Sequence, residues 1–192
     1  MGNLVGLPVS FPGGTSEVYT TPFPIAPGTI AYDGLGGEYI FLDATGDIGN
    51  GCVCMISRDA NFNAVPFAVN LYGRVGVAMA QATSNHGVWV QVAGYTAGYV
   101  QCAGGSSLGT SSGRALQATS LSSPATGLLT VSTATSDESG YIFGMWVTQL
   151  TSTGTTSVDT TDAGSSTSAY TGLRTRVFMD HPYILQPNHT SV

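Results

Sequence analysis

The sequence predicts an all-β protein, a single β-barrel or sandwich-like domain with an extended Pro/Gly-rich N-terminal arm. Three observations predict it. Many short apolar segments alternate from face to face and are separated by Gly-, Asn- and Asp-rich turn signals. No stretch of useful length carries the 3.6-residue apolar period of a helix. The first thirty residues hold Pro8, Pro12, Pro22, Pro24 and Pro27, and proline suits neither a helix interior nor a central strand.

The arm is assigned to residues 1–30. It carries Leu4, Val5, Leu7, Phe11, Tyr19, Phe23 and Ile25, more apolar side chains than a solvated tail needs. It is therefore expected to dock, on its own domain or on a neighbour. The domain is assigned to residues 31–192.

Glu38–Asp43 is aromatic and β-branched, and it runs into the turn Gly46–Gly51, which contains an Asn-Gly pair. Cys52–Ile56 follows, with Cys52, Cys54 and Ile56 on one face and Val53 and Met55 on the other. Residues 58–63 are polar and turn-like, and Val65–Phe67 resumes an extended segment. Arg74–Ala80 sets Val75, Val77 and Met79 against Gly76, Ala78 and Ala80, a small face that allows close backbone approach. Asn85-His86-Gly87 is a turn, and Val88–Ala93 alternates Val88, Val90 and Val92 against Trp89, Gln91 and Ala93. These last two strands are expected to form the central hairpin. Gly98–Cys102, Ala115–Ala118, Leu128–Ser132, Tyr141–Leu150 and Leu173–Met179 supply further strands. Two low-complexity stretches, 104–113 and 151–168, read as mobile loops.

Composition narrows the function classes. Only 8% of the 192 residues are charged, all five basic residues are Arg, and the net charge is −6. Five scattered Arg do not make the basic patch that neutralises phosphates, so no nucleic-acid partner is expected. Anionic membranes are disfavoured for the same reason, and no apolar run is long enough to span a bilayer. A surface so poor in charge repels its own copies weakly and favours association. Met1–Gly6 lacks the basic and apolar regions of a signal peptide. The three cysteines, Cys52, Cys54 and Cys102, do not make a disulfide framework, which suits manufacture in a reducing cytoplasm.

Several motifs invite a chemical reading. Gly109-Thr110-Ser111-Ser112-Gly113 matches the nucleophile elbow, but that motif needs a strand before it and a helix after it. A chance match in a Ser/Gly loop is the better account, and no enzyme activity is expected. Asp59–Asn63 opens like a calcium loop, yet Ala64 and Asn70 stand where that loop requires Gly and Glu. Cys52 and Cys54 share a face, but C-x-C without a second pair reads as core packing rather than a metal site. His86, His181 and His189 read as solvated or hydrogen-bonded histidines rather than as members of a catalytic pair. No cofactor is expected. Trp89, Trp146, Tyr95, Tyr99 and Tyr141 could form a saccharide platform, although strand aromatics more often serve core or interface.

The runs CVCMISRDANFNAVPFAV and YGRVGVAMAQATSNHGVWVQVAGYTAGYVQC resemble the centre of tailed-phage head decoration, or capsid cement, proteins. The matching residues are Gly51–Ile56, Pro66, Gly76-Val77-Ala78 and Gly87–Gly94, and Leu173–Ile184 resembles the terminal strand of those proteins. The resemblance covers residues 35–102 and 141–184 and contains packing and turn residues only. It implies a structural virion protein on the outer surface of a phage capsid, often a trimer, that bridges neighbouring major capsid subunits. Leu4, Val5, Leu7, Phe11, Phe23 and Ile25 are the expected capsid-binding residues of the arm. The runner-up is a tail- or fibre-associated carbohydrate-binding module.

Overall fold

The computed structural model describes residues 18–57, 61–67, 72–96, 100–101, 116–118, 129–131, 141–150, 156–157, 171–172 and 174–184. All regular structure among them is β. The strands are β1 (Tyr19–Thr20), β2 (Ile30–Tyr32), β3 (Glu38–Ala44), β4 (Val53–Ser57), β5 (Asn63–Pro66), β6 (Gly73–Ala78) and β7 (His86–Tyr95). They continue with β8 (Val100–Gln101), β9 (Leu116–Ala118), β10 (Leu129–Val131), β11 (Tyr141–Leu150), β12 (Thr156–Ser157), β13 (Thr171–Gly172) and β14 (Arg174–Ile184).

Five strands close on themselves. β3 pairs β5, β5 pairs β4, β4 pairs β6, β6 pairs β7, and β7 returns to β3. A purely antiparallel ring needs an even number of strands, so a ring of five must contain one parallel contact. It falls between β3 and β5, where Asp43 faces Asn63 and Ala44 faces Ala64. Closure removes the open edges that strands otherwise present to solvent.

A ring of so few strands is narrow, and its interior residues are correspondingly small. Ala44, Cys54, Ala64 and Ala78 fill it beside Ile40, Leu42, Ile56, Val88, Val90 and Val92. The alternation expected for Cys52–Ile56 and Val88–Ala93 places these side chains inward. Gly76 extends the small set: a Cβ there would run into Val90 Cγ1 and come within 2.7 Å of the Gln91 carbonyl oxygen.

The outer faces carry two further clusters. Val53, Met55, Val75 and Val77 pack under Ile142, Met145, Val177 and Met179 from β11 and β14. β14 pairs β11 along one edge, and on the other it meets β6, β7 and β8 in turn. It thereby fixes the outer layer, β11-β9-β10, to the ring. On the opposite flank, Tyr39, Phe41 and Trp89 are covered by Tyr19, Phe23 and Ile25.

Some expectations need adjustment. β6 and β7 share only two register pairs, Val77 with Gln91 and Ala78 with Val90. The main partner of β7 is β3, matched from Glu38 to Ala44, so the central pair joins strands distant in sequence. The last strand runs past Met179 to Ile184 through His181 and Pro182. A register shift absorbs that proline: Phe143 faces Tyr183 and Met145 faces Met179, so Gly144 alone opposes Asp180–Pro182. Within the 151–168 stretch expected to be a loop lies β12, which pairs β13 just beyond it over two residues. The 104–113 loop lies outside the described residues.

Overpacking a tight interior costs about 1–3 kcal/mol. Gly76→Ala should lower the unfolding free energy by that amount and the urea midpoint with it, because one of the atoms it meets is backbone. A midpoint equal to wild type would show that the ring has room the packing denies.

Candidate interaction surface

One end of β7 organises an exposed aromatic surface. β7 bulges there, since Glu38 faces Ala93 while Tyr39 faces Gln91. The buried Gln91 side chain repairs the break: its Nε2 donates to the carbonyls of Ala93 at 3.1 Å and Tyr95 at 2.8 Å. Gly94 adopts a left-handed φ of 85° and lies against the β2–β3 turn. A Cβ at Gly94 would come within 2.7 Å of Gly36 O and 2.9 Å of Gly37 Cα. Beyond this kink, β7 leaves β3 and pairs β14.

The kink turns Tyr95 outward into a row of aromatic rings. Phe178 faces Tyr95 across β7–β14, and Trp146 faces Phe178 across β14–β11. The centroids lie 5.1 Å apart for Tyr95–Phe178 and 5.8 Å apart for Trp146–Phe178. Phe143 and Tyr183 stack beside them at 5.5 Å. Strand alternation explains the row, because the intervening Met145, Val177 and Met179 point into the core. Tyr95 is 66% exposed and Trp146 53% exposed, so much of both rings lies outside the packing of the described residues.

Charged groups gather along one margin. The Arg74 guanidinium lies 3.5 Å from Glu38 Oε1 and donates to His181 Nδ1 at 2.7 Å. Arginine has no acceptor, so His181 Nδ1 must accept, and the other ring nitrogen lies 3.8 Å from Glu38 Oε2. This trio ties β3, β6 and β14 together. Nearby, Asp33 holds the β2–β3 turn: Oδ1 accepts from the backbone N–H of Leu35 at 2.8 Å and Gly37 at 2.7 Å. Oδ2 accepts from the Tyr39 hydroxyl at 2.8 Å. Burial works to raise the Asp33 pKa, but the hydrogen bonds from Gly37, Tyr39 and Leu35 outweigh it and hold the carboxyl below its ordinary value. Leu35, at the apex of this turn, is 94% exposed.

No protein-family model, curated protein or solved structure matches the chain.

The residues singled out from sequence fall in different places. Phe23 and Ile25 pack on the chain's own Phe41 cluster, with the Phe23 and Phe41 rings edge-to-face at 5.8 Å. Their apolar surface is thus engaged within the domain. Leu4, Val5, Leu7 and Phe11 lie outside the described residues, as do Ser111, Asp59, Tyr99, Cys102 and His189. Of the aromatics considered for a saccharide platform, Trp89 is fully buried, whereas Trp146 and Tyr95 are exposed. Phe143, Phe178 and Tyr183 were not singled out. Their signal was the placement of aromatics on the outward face of the two longest late strands.

Cys52 and Cys54 are buried, and desolvation pushes both thiols up to about 12. Such thiols are poor nucleophiles and poor metal ligands at neutral pH. Among the described residues, no three of His, Cys, Asp and Glu come together as a metal site would require. His86 Nδ1 faces the carbonyls of Thr83 at 3.2 Å and Ser84 at 3.1 Å. Thr83 Oγ1 lies closer still, at 2.9 Å, so the ring braces the turn that opens β7. Burial raises the pKa of neighbouring Asp43, while the charge of His86 works in the other direction.

A carboxyl with a depressed folded pKa stabilises above its unfolded pKa and loses that effect as pH falls through the folded value. Asp33→Ala should therefore cost about 1–2 kcal/mol at neutral pH. The gap from wild type should narrow only below about pH 4, the unfolded carboxyl value. Thermal melts of both proteins across that range check it; a gap independent of pH would assign the loss to packing rather than to the carboxylate.

Proposed function

We propose that this protein is a structural component of a virus particle, a decoration protein that binds the outer surface of a phage capsid and stabilises it by bridging neighbouring major capsid subunits. The observation that carries the reading is the outward row Tyr95–Phe178–Trp146 with the stacked pair Phe143–Tyr183, set on a rigid closed ring in a chain with few charges. Such a surface suits docking between proteins. The resemblance to capsid cement proteins supports it from a second direction, since its residues fall on the ring: Gly51–Ile56 lead into β4, Pro66 ends β5, Gly76–Ala78 lie in β6, and Gly87–Gly94 lie in β7.

The mechanism is mechanical and multivalent. Several modest contacts on one trimer act together through effective concentration, so the assembly holds a shell that each contact alone would hold weakly. Low surface charge lowers the repulsion between crowded copies. The protein works on the virion exterior after manufacture in the host cytoplasm, and it needs no cofactor.

A specific observation favours one alternative. Trp146 and Tyr95 are exposed enough to stack on sugar rings, as a tail- or fibre-associated carbohydrate-binding module would require.

Purified protein mixed with mature, undecorated heads and imaged by cryo-electron microscopy should give ordered density on the outer shell at symmetry-related positions. Bare heads, together with glycan binding that disappears in Trp146→Ala, would replace this reading with the carbohydrate module.

A further inference from the structure

We infer that Asn50-Gly51 is a latent modification site: Asn50 converts to isoaspartate only when the turn between β3 and β4 opens, and the conversion then keeps that turn from closing. It concerns closure of the ring and does not rest on the capsid reading above.

The chemistry is local. A backbone nitrogen that follows an asparagine can attack the side-chain amide carbon. Glycine supplies the least hindered nitrogen, because it has no side chain. Asn50-Gly51 is the one Asn-Gly pair in the sequence. The Gly51 nitrogen gives its proton to a solvent base and bonds to Asn50 Cγ. The Cγ–Nδ2 bond breaks, and ammonia leaves with a proton taken from solvent. Water then opens the cyclic imide. Opening at Cγ gives aspartate; opening at the main-chain carbonyl gives isoaspartate, whose backbone runs through Cβ and Cγ.

The fold presents the electrophile and withholds the nucleophile. Asn50 is exposed and Gly51 is buried. The Gly51 N–H donates to Ala78 O at 2.8 Å, so its proton is shielded from solvent base. Gly49 O accepts from Cys52 N–H at 3.1 Å, and Gly51 has a φ of 74°, the pattern of a type II turn with glycine in third place. Clamps to residues 77–82 hold the turn on both sides. Before it, Ile48 and Ala82 exchange both backbone bonds, at 2.8 and 2.9 Å. After it, Ala78 N–H donates to Cys52 O at 3.0 Å, and Val53 faces Val77. Bringing the Gly51 nitrogen onto Asn50 Cγ requires the peptide between them to rotate, which breaks its bond to Ala78.

The same clamps make the product damaging. Isoaspartate adds a carbon to the main chain between Ile48 and Val53, and a carboxylate beside it. A turn fixed at both ends has no place for that carbon. Gly51 N–H and Ala78 O lose their register, and the start of β4 is left unlatched from the ring.

The test follows residue 50 by peptide-mapping mass spectrometry and isoaspartate by enzymatic methylation. The full-length protein is held in mildly alkaline buffer, folded or unfolded in urea, beside a synthetic peptide of residues 46–56. Unfolded chain and peptide should convert at similar rates. Two backbone bonds of ordinary strength should slow the folded protein at least about thirtyfold. Low urea should speed it in step with hydrogen exchange at the Gly51 amide. Protein aged while unfolded and then returned to buffer should hold an isoaspartate fraction that melts lower, or does not refold. Asn50→Asp taken through the same cycle carries the same charge without the extra carbon, and should refold. Conversion of the folded protein at the peptide's rate, or an unfolded chain that leaves Asn50 intact, would overturn the inference. An isoaspartate fraction that refolds and melts with Asn50→Asp would overturn it equally.

Discussion

Closure of the five-strand ring is the constraint on which the rest of the molecule depends. An odd ring demands one parallel contact, supplied by β3 and β5, and a narrow ring demands small inward side chains. Gly76, Ala78, Ala64 and Cys54 meet the second demand. These pack inside beside Ile40, Leu42, Ile56 and the valines of β7, and the pleat sends the alternate side chains of the same strands outward. Val53, Met55, Val75 and Val77 then need a covering layer, and so do Tyr39, Phe41 and Trp89. The β11–β14 layer and the segment from Tyr19 to Ile25 are those coverings. The architecture is a ring with two dressed flanks because its strands are apolar on both faces and only one face can point inward.

The same logic locates the interaction surface. β14 covers one flank with its inward residues, so its alternate residues are left facing out. The bulge at the end of β7, held by Gln91 and Gly94, turns Tyr95 to meet them. A strand serving only the ring would have ended at Ala93. The extra residues carry the strand past the ring and into the exposed aromatic face.

Period-two alternation made much of the ring legible in the sequence. Cys54 and Ile56 could be separated from Val53 and Met55, and Val88, Val90 and Val92 from Trp89, because each strand obeys a strict pleat. The small face of Gly76 and Ala78 correctly signalled close backbone approach. Pairing was less legible. Adjacency suggested that β6 and β7 form the central hairpin, whereas β7 matches β3 over most of its length; long-range register leaves no local trace in either strand. The aromatic surface was half visible. Trp146 and Tyr95 stood out as residues, but the row exists only because β7, β14 and β11 lie side by side. Phe23 and Ile25 were expected to dock on the domain itself or on a neighbour, and their packing on the Phe41 flank depends on strands that the Pro-rich segment's own sequence does not reveal.

The segment from Tyr19 to Tyr32 also has a consequence under force. A pull applied ahead of Val18 meets first a two-residue ladder, Tyr19–Gly87 and Thr20–His86. It then meets the wedged rings of Phe23 and Phe41. Next come the bonds that Gly28 N–H gives to Phe41 O and Phe41 N–H gives to Thr29 O, and last the three residues of β2 on β3. These attachments lie in series and grow more extensive toward the ring. The segment is therefore built to yield in steps, paying out length under load while the closed ring behind it keeps its shape.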